Sequence, residues 1–351
     1  MREKLENPLG DGSHSGDDGV RLIEPLRQRR ETESPAVSVV VVDSENGGPI
    51  ERTLKTLFKQ KFADFEVIVV RQGNVGFDSL VKRWPQIMVL HSEADLGFCR
   101  ASNLATQTAL GKYLLFLDNN AWLNPTALGK LVEAFEAEPG VGIAGPLILN
   151  ANGTLQSIGM NINQFGRPLA NVEPFAADVD ILDNAFFVPG SVLMIEKQLF
   201  NSLSGFDELY VRGLEDADLC WRARLLGRKI VVNPWSIAYR QPGGGDVSNY
   251  LQHRNSLRMI IKNYGALKAL TGGAKFVGST IANSVISLLS LKPRVFYQYW
   301  RALFWNLAML PDSMKQRRRV QRRRRLNDAS VLEHVRADNE ATRDLTKDRA
   351  A

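Results

Sequence analysis

The sequence predicts an α/β domain built on a mostly parallel, doubly wound sheet flanked by helices, followed by a helical C-terminal appendage. Three observations carry this. The chain has 351 residues, 44% of them hydrophobic, enough for a full α/β core and an addition to it. From residue 37 onward, short apolar runs alternate with helical patterns, the signature of parallel strands joined by crossover helices. Beyond residue 265 the alternation stops, and apolar, aromatic and cationic stretches follow in turn.

Residues 1–35 are rich in Gly, Asp, Ser, Glu and Arg, carry no signal-peptide pattern and have too little apolar content to fold alone, so they read as a disordered tail. The run V-S-V-V-V-V at 37–42 is continuous, as a strand buried on both faces requires. A Gly-Pro loop at 47–49 leads to a helical pattern over 50–60. Strands follow at 66–70 and 87–90 with a short helix closing at 81–84. A helix over 103–110 precedes a strand at 113–117 that ends at Asp118. A helix over 128–138 is stopped by Pro139. No repeat of 20–50 residues is visible. The two cysteines, Cys99 and Cys220, have neither metal spacing nor a disulfide framework and read as packed thiols of a reducing compartment.

In such sheets ligands bind beyond the carboxyl ends of the strands, which places 43–46, 71–74, 95–103 and 118–120 around a site. The densest chemistry lies further on, in G-F-D-E-L-Y-V-R-G-L-E-D-A-D-L-C-W-R at 205–222. Asp207, Glu208, Glu215, Asp216 and Asp218 sit there among Phe206, Leu219 and Trp221. Carboxylates in apolar surroundings are costly unless paired. Two readings stand: a general base beside sugar hydroxyls or diphosphate, or a helix N-terminus with Asp218 pairing Arg222 at i,i+4.

These residues resemble the family 2 glycosyltransferases, most closely the bacterial rhamnosyltransferase-like members of the GT-A fold. The match runs over about 37–265 and rests on the element order, on L-D-N-N after Y-L-L-F, on A-D-L-G-F-C-R-A-S-N at 94–103, on G-S-V-L-M-I at 190–195, and on the E-D pair at 215–216. The resemblance implies a nucleotide-sugar donor held at Asn103, Asp118 and Asn120; Asp43, Glu45, Arg71, Arg100 and Arg240 are further donor-binding candidates read from their places around the same site. The resemblance also implies catalysis by Asp216 as base with Glu215 beside it. Asp207, Asp218 and Trp122 fall on the acceptor side.

The departures from the family pattern concern the donor. Where an Asp usually reads the nucleotide base, Arg71 and Gln72 stand. The metal motif reads Asp118-Asn119-Asn120, and Arg240 occupies the place of a metal-ligating His. Mg2+ and Mn2+ are held by carboxylate and phosphate oxygens. Only Asp118 offers a charged ligand here, and Arg240 brings a fixed cation suited to a diphosphate. Metal use is therefore doubtful on the sequence, and a catalytically silent GT-A-like scaffold at the membrane is the alternative to an active enzyme.

Residues 276–291 contain no charge and 293–310 are aromatic-rich, whereas 315–325 hold eight cations in eleven positions. The apolar stretch is short for a span, which takes about 20 residues. Interfacial helices with a cationic anchor on an anionic membrane surface are expected. The cations lack the interleaved aromatics of a nucleic-acid site, so nucleic acid is not expected as a partner. The sequence thus predicts an inverting glycosyltransferase of cell-surface polysaccharide assembly. It would be cytoplasmic and peripheral on the inner face of the plasma membrane, with a glycan or lipid-linked acceptor. A homo-oligomer is compatible with the chain.

Overall fold

The computed structural model describes residues 20–23, 34–43, 50–73, 76–163, 166–170, 185–241 and 248–332. Its strands, in chain order, are β1 (Val20–Ile23), β2 (Val37–Asp43), β3 (Phe65–Gln72), β4 (Met88–Ser92), β5 (Tyr113–Asp118), β6 (Ala121–Leu123), β7 (Val141–Asn150), β8 (Leu155–Ser157), β9 (Met160–Ile162), β10 (Pro168–Ala170), β11 (Val192–Glu196) and β12 (Lys229–Arg240). The main sheet runs β1, β4, β3, β2, β5, β11, β7, β12, β6, with β8 paired to β7; β9 and β10 form a separate antiparallel pair.

Strands β4, β3, β2 and β5 are mutually parallel, as the apolar runs predict. Both faces of this half are covered. Val37, Val39 and Val41 point into one cluster with Leu54 of α1 (Ile50–Leu57), Leu80 of α2 (Asp78–Arg83) and Leu131 of α4 (Ala127–Ala137). Val40 points into the other, with Ala101 and Ala105 of α3 (Gly97–Thr108). Burial on two faces is why β2 reads as unbroken valine rather than as an alternating strand.

The second half of the sheet is mixed. β11 lies antiparallel between β5 and β7, β12 runs parallel to β7, and β6 closes the edge antiparallel to β12. This arrangement matters for function. Arg240, the last residue of β12, is in register with Ala121, so it arrives beside the chain leaving β5 at Asp118.

Three expectations are corrected. Residues 20–23, assigned above to a disordered tail, form β1, paired antiparallel with β4 and burying Val20. Four residues suffice to cover an open sheet edge, and the composition of a 35-residue window hides them. Helix α3 starts at Gly97, so much of the expected 95–103 loop is helical. The Gly97 N–H donates to Asp95 Oδ1 at 2.9 Å, and the Leu96 N–H to Gln72 Oε1 at 2.6 Å. Gln72 is thus buried and occupied with α3 rather than turned to a ligand.

The third correction concerns the basic tail. After α5 (Lys197–Ser202), α6 (Glu215–Leu225) and α7 (Asn249–Asn263) come α8 (Ala266–Leu289), α9 (Pro293–Ala308), α10 (Leu310–Arg323) and α11 (Asp328–Leu332). Most of the 315–325 run belongs to α10, which packs on α7. Arg317 donates to the carbonyls of Ile261 and Tyr264 at 2.6 and 2.7 Å, and Gln321 to those of Lys262 and Asn263 at 3.1 Å each. These are the carbonyls that a helix C-terminus leaves without partners, so Arg317 and Gln321 cap α7. Among the described residues, no helix is long and apolar enough to cross a membrane.

Candidate active site

Two acid–arginine pairs sit at the carboxyl ends of the parallel strands. Asp43 and Arg71 are register partners on β2 and β3 and form an ion pair, while Asn119 Nδ2 donates to Asp43 Oδ1 at 2.8 Å. Burial raises the Asp43 pKa despite these partners. The second pair joins Asp118 at the end of β5 to Arg240 at the end of β12, with Arg240 Nη2 3.3 Å from Asp118 Oδ2. Burial raises the Asp118 carboxyl, and the Arg240 charge pulls it down. Beside them Asn120 Nδ2 donates to the Gln241 carbonyl at 3.2 Å, while its Oδ1 is buried without a partner.

The N-terminus of α6 faces these strand ends. The chain enters it through two left-handed residues, Gly213 (φ 83°) and Leu214 (φ 69°), a conformation unusual for leucine. Asp216 Oδ2 accepts the Gly190 N–H at 2.8 Å, and Oδ1 accepts the Ala217 N–H at 2.8 Å. A Cβ at position 190 would lie 3.3 Å from Asp216 Cβ, so glycine permits the close approach. The next residue, Ser191, accepts the Asp118 N–H at 2.9 Å. Consecutive residues of one loop therefore hold Asp118 and Asp216 in a common site, close enough that the Asp118 charge bears on Asp216.

Both carboxylates of the E-D pair are raised, Asp216 by burial and Glu215 by burial first and the Asp216 charge second. Glu215 reaches about 8, and its Oε2 has no partner. Raised, half-buried carboxylates are what general acid–base chemistry requires. A stability consequence follows from linkage. Between an ordinary glutamate pKa near ~4.3 and about 8, the folded chain holds the Glu215 proton and the unfolded chain has lost it, so stability falls as pH rises. Glu215→Gln is expected to raise the melting temperature at pH 8 and to leave it nearly unchanged at pH 5. Equal effects at both pH values would contradict the assignment.

The other acidic residues of the 205–222 stretch do different work. Asp218 is fully buried and receives Arg222 Nε at 2.8 Å, Lys262 Nζ at 3.0 Å and Asn263 Nδ2 at 3.0 Å. Asp207 is ion-paired to Lys262 and Arg258, and Arg258 also binds Asp312 at 2.6 Å. Burial alone would raise both carboxyls, but Lys262, helped by Arg222 at Asp218 and by Arg258 at Asp207, holds them below the usual range. The acceptor-side assignment of Asp207 and Asp218 is therefore corrected: they lock α6 and its preceding loop to α7 and α10. Asp218→Ala is expected to cost about 3–5 kcal/mol in denaturant unfolding, because it strands buried cations. The contribution of these carboxylates is complete above their unfolded pKa near ~4 and is lost as pH falls further.

Several other expected ligands are also engaged in packing. Asn103 exchanges hydrogen bonds with the backbone of Phe206 at 2.9 Å each and reaches Glu208 at 3.1 Å, so it pins the acidic loop. Trp122 is buried, with Arg52 3.3 Å above its ring and Tyr239 stacked beside it, so its ring is engaged in packing. At the start of α7, His253 and Arg254 pack against Tyr299 and Trp305. Arg100 is exposed on α3. Glu45 lies outside the described residues. Residues missed on the sequence are Asn119, Gly190, Arg258 and Lys262. The i,i+4 spacing of Arg258 and Lys262 was the available signal for that pair.

Residues 38–203 match the family model described as Glycosyl transferase family 2. This chain carries a family 2 glycosyltransferase domain. Relatives of the domain include the O-antigen biosynthesis protein RfbC of Myxococcus xanthus, 24% identical over 212 residues that cover 56% of this chain and 16% of that protein. The N-acetylglucosaminyl-diphospho-decaprenol L-rhamnosyltransferase of Mycobacterium tuberculosis is 24% identical over 209 residues, covering 52% of this chain and 68% of that one. The chain spans a quarter or less of the length of two curated relatives, RfbC and protein y4gI of Sinorhizobium fredii. Among solved structures, GalNAc-T7 with UDP, GalNAc and Mn2+ superposes with a TM-score of 0.56 at 18% identity, over 68% of this chain and 52% of that one. That likeness concerns the GT-A fold.

Mn2+ in that neighbour raises the question whether this family 2 domain fits a metal. Among the described residues, no group of three or more His, Cys, Asp or Glu side chains could hold one. At the strand ends, the carboxylates Asp43 and Asp118 are already paired with Arg71 and Arg240. A divalent ion would compete with a guanidinium for either carboxylate. The donor set fits an anionic oxygen better than a cation.

Proposed function

We propose that the protein is an inverting glycosyltransferase that moves a sugar from a nucleotide-sugar donor to a glycan or lipid-linked acceptor in cell-surface polysaccharide assembly. The observation that carries this reading is Asp216, anchored by the Gly190 N–H opposite the Asp118–Arg240 pair. In this scheme Asp216 takes the proton of an acceptor hydroxyl. The hydroxyl oxygen attacks the anomeric carbon from the face opposite the nucleotide. The bond from that carbon to the diphosphate oxygen breaks, and its electron pair leaves with the diphosphate. One displacement inverts the anomeric centre. Charge developing on the leaving group is met by Arg240, a preorganised cation at a partly buried site. Asp43, Arg71 and Asn120 line the donor side. The relatives named for O-antigen biosynthesis and for rhamnosyl transfer to a decaprenol-linked sugar support the acceptor class; a working place at the inner face of the plasma membrane is part of the same proposal.

A second reading has an observation of its own. Both arginines of the donor side are internally neutralised, Arg71 by Asp43 and Arg240 by Asp118. A scaffold that binds no donor would keep such pairs. Thermal shift against a panel of nucleoside diphosphates, with and without Mn2+, separates the two, because ligand binding to the folded state raises the melting temperature by mass action. A shift with at least one diphosphate supports the enzyme, and none with any supports the scaffold.

A further inference from the structure

Helix α8 is inside out for a helix facing water. It buries Phe276, Thr280, Ser284 and Ser287, and it exposes Val285, Ile286, Leu288 and Leu289, the last at 79%. The buried hydroxyls are satisfied within the helix: Thr280 donates to the Phe276 carbonyl at 2.9 Å, Ser284 to Ile281 at 2.7 Å and Ser287 to Ser284 at 2.7 Å. Helix α9 repeats the pattern. It buries Ala302 and Asn306, and it exposes Tyr297, Phe304 and Leu307 at 62–67%. In the turn between them Leu291 is 89% exposed. Small and hydroxyl residues between helices, with large apolar ones outside, are the pattern of helices that pack in lipid.

The charge pattern names the occupant. Between Asp246 and Asp312 the sequence contains no acidic residue and eight lysines or arginines. Two of these, Lys292 and Arg294, are exposed in and just after the turn that carries Leu291. A second copy of the chain across this face would bring cation against cation with no acid to pair. An anionic bilayer supplies both the apolar phase and the negative surface.

We propose that the α8–α9 hairpin docks on an anionic lipid bilayer, with Leu288, Leu289 and Leu291 entering the acyl boundary and Lys292 and Arg294 meeting headgroup phosphates. This extends the membrane setting of the proposed function and moves the contact from the arginine run, part of which caps α7, to the hairpin tip. Because α8, though 24 residues long, is not apolar enough to cross, the hairpin lies in the interface. The inference stands on this surface alone, so its failure leaves the transfer reading untouched.

The test is cosedimentation of the full chain with phosphatidylcholine vesicles, with and without phosphatidylglycerol. The intact chain is expected to pellet with the anionic vesicles and to release in high salt. Leu288→Ser with Leu289→Ser and Leu291→Ser should weaken vesicle binding at least tenfold. Lys292→Glu with Arg294→Glu should remove the preference for phosphatidylglycerol. All five positions are exposed, and unchanged melting temperatures would show that the variants fold. Pelleting of the leucine variant at the wild-type level would overturn the proposal. So would absence of vesicle binding by the intact chain, including the case in which it forms a dimer that the leucine variant disperses.

Discussion

Asp216→Asn is expected to lower turnover by about two to four orders of magnitude, the usual contribution of a general base. Nucleotide affinity should hardly change. The substitution is nearly isosteric, and its amide oxygen can still accept the Gly190 N–H that fixes the carboxylate at 2.8 Å. What is lost is the capacity to take a proton from the acceptor. Steady-state transfer and nucleotide titration on the same preparation separate the two effects. Near-normal transfer by the variant would show that Asp216 is not the base.

Arg240→Ala should weaken binding of the donor diphosphate about a thousandfold. Unit charges 4 Å apart interact by about 4 kcal/mol at an effective dielectric of 20, and 1.4 kcal/mol is tenfold in affinity. The fold should tolerate the change, because the Arg240–Asp118 pair is more than a quarter exposed on each side and such pairs contribute up to about 1 kcal/mol. Chelator should leave binding by the intact chain unaltered. Asn120→Asp combined with Arg240→His restores a carboxylate and a neutral imidazole, and should introduce Mn2+ dependence. Calorimetric titration of a nucleoside diphosphate into each variant checks this. Loss of binding by the intact chain on adding chelator would return the site to a metal-dependent scheme.

The parallel half of the sheet was legible in the sequence because burial on both faces leaves runs such as V-S-V-V-V-V, which few other environments produce. The E-D pair at 215–216 was legible too, but only as a member of a crowd. Five carboxylates lie within 207–218, and sequence spacing treats them alike. Their division depends on Arg258, Lys262 and Asn263, forty or more residues downstream on α7, which claim Asp207 and Asp218 and leave Glu215 and Asp216 facing the strand ends. Only the i,i+4 pair Asp218–Arg222 was local enough to read. The Asp118–Arg240 contact arises from the register of β12 against β6, a long-range pairing that residue periodicity does not show and that only the family resemblance pointed to. Likewise the cations of 315–325 look like a free tail until the open carbonyls of α7 are placed beside them.

The central claim is that Asp216 drives sugar transfer at a site where Arg240 meets the diphosphate. Release of radiolabelled sugar from a panel of nucleotide-sugar donors, with chelator present, tests it most directly. The account predicts hydrolysis or transfer by the intact chain with at least one donor, falling by two or more orders of magnitude in Asp216→Asn. Neither hydrolysis nor transfer from a donor that the protein demonstrably binds would contradict it.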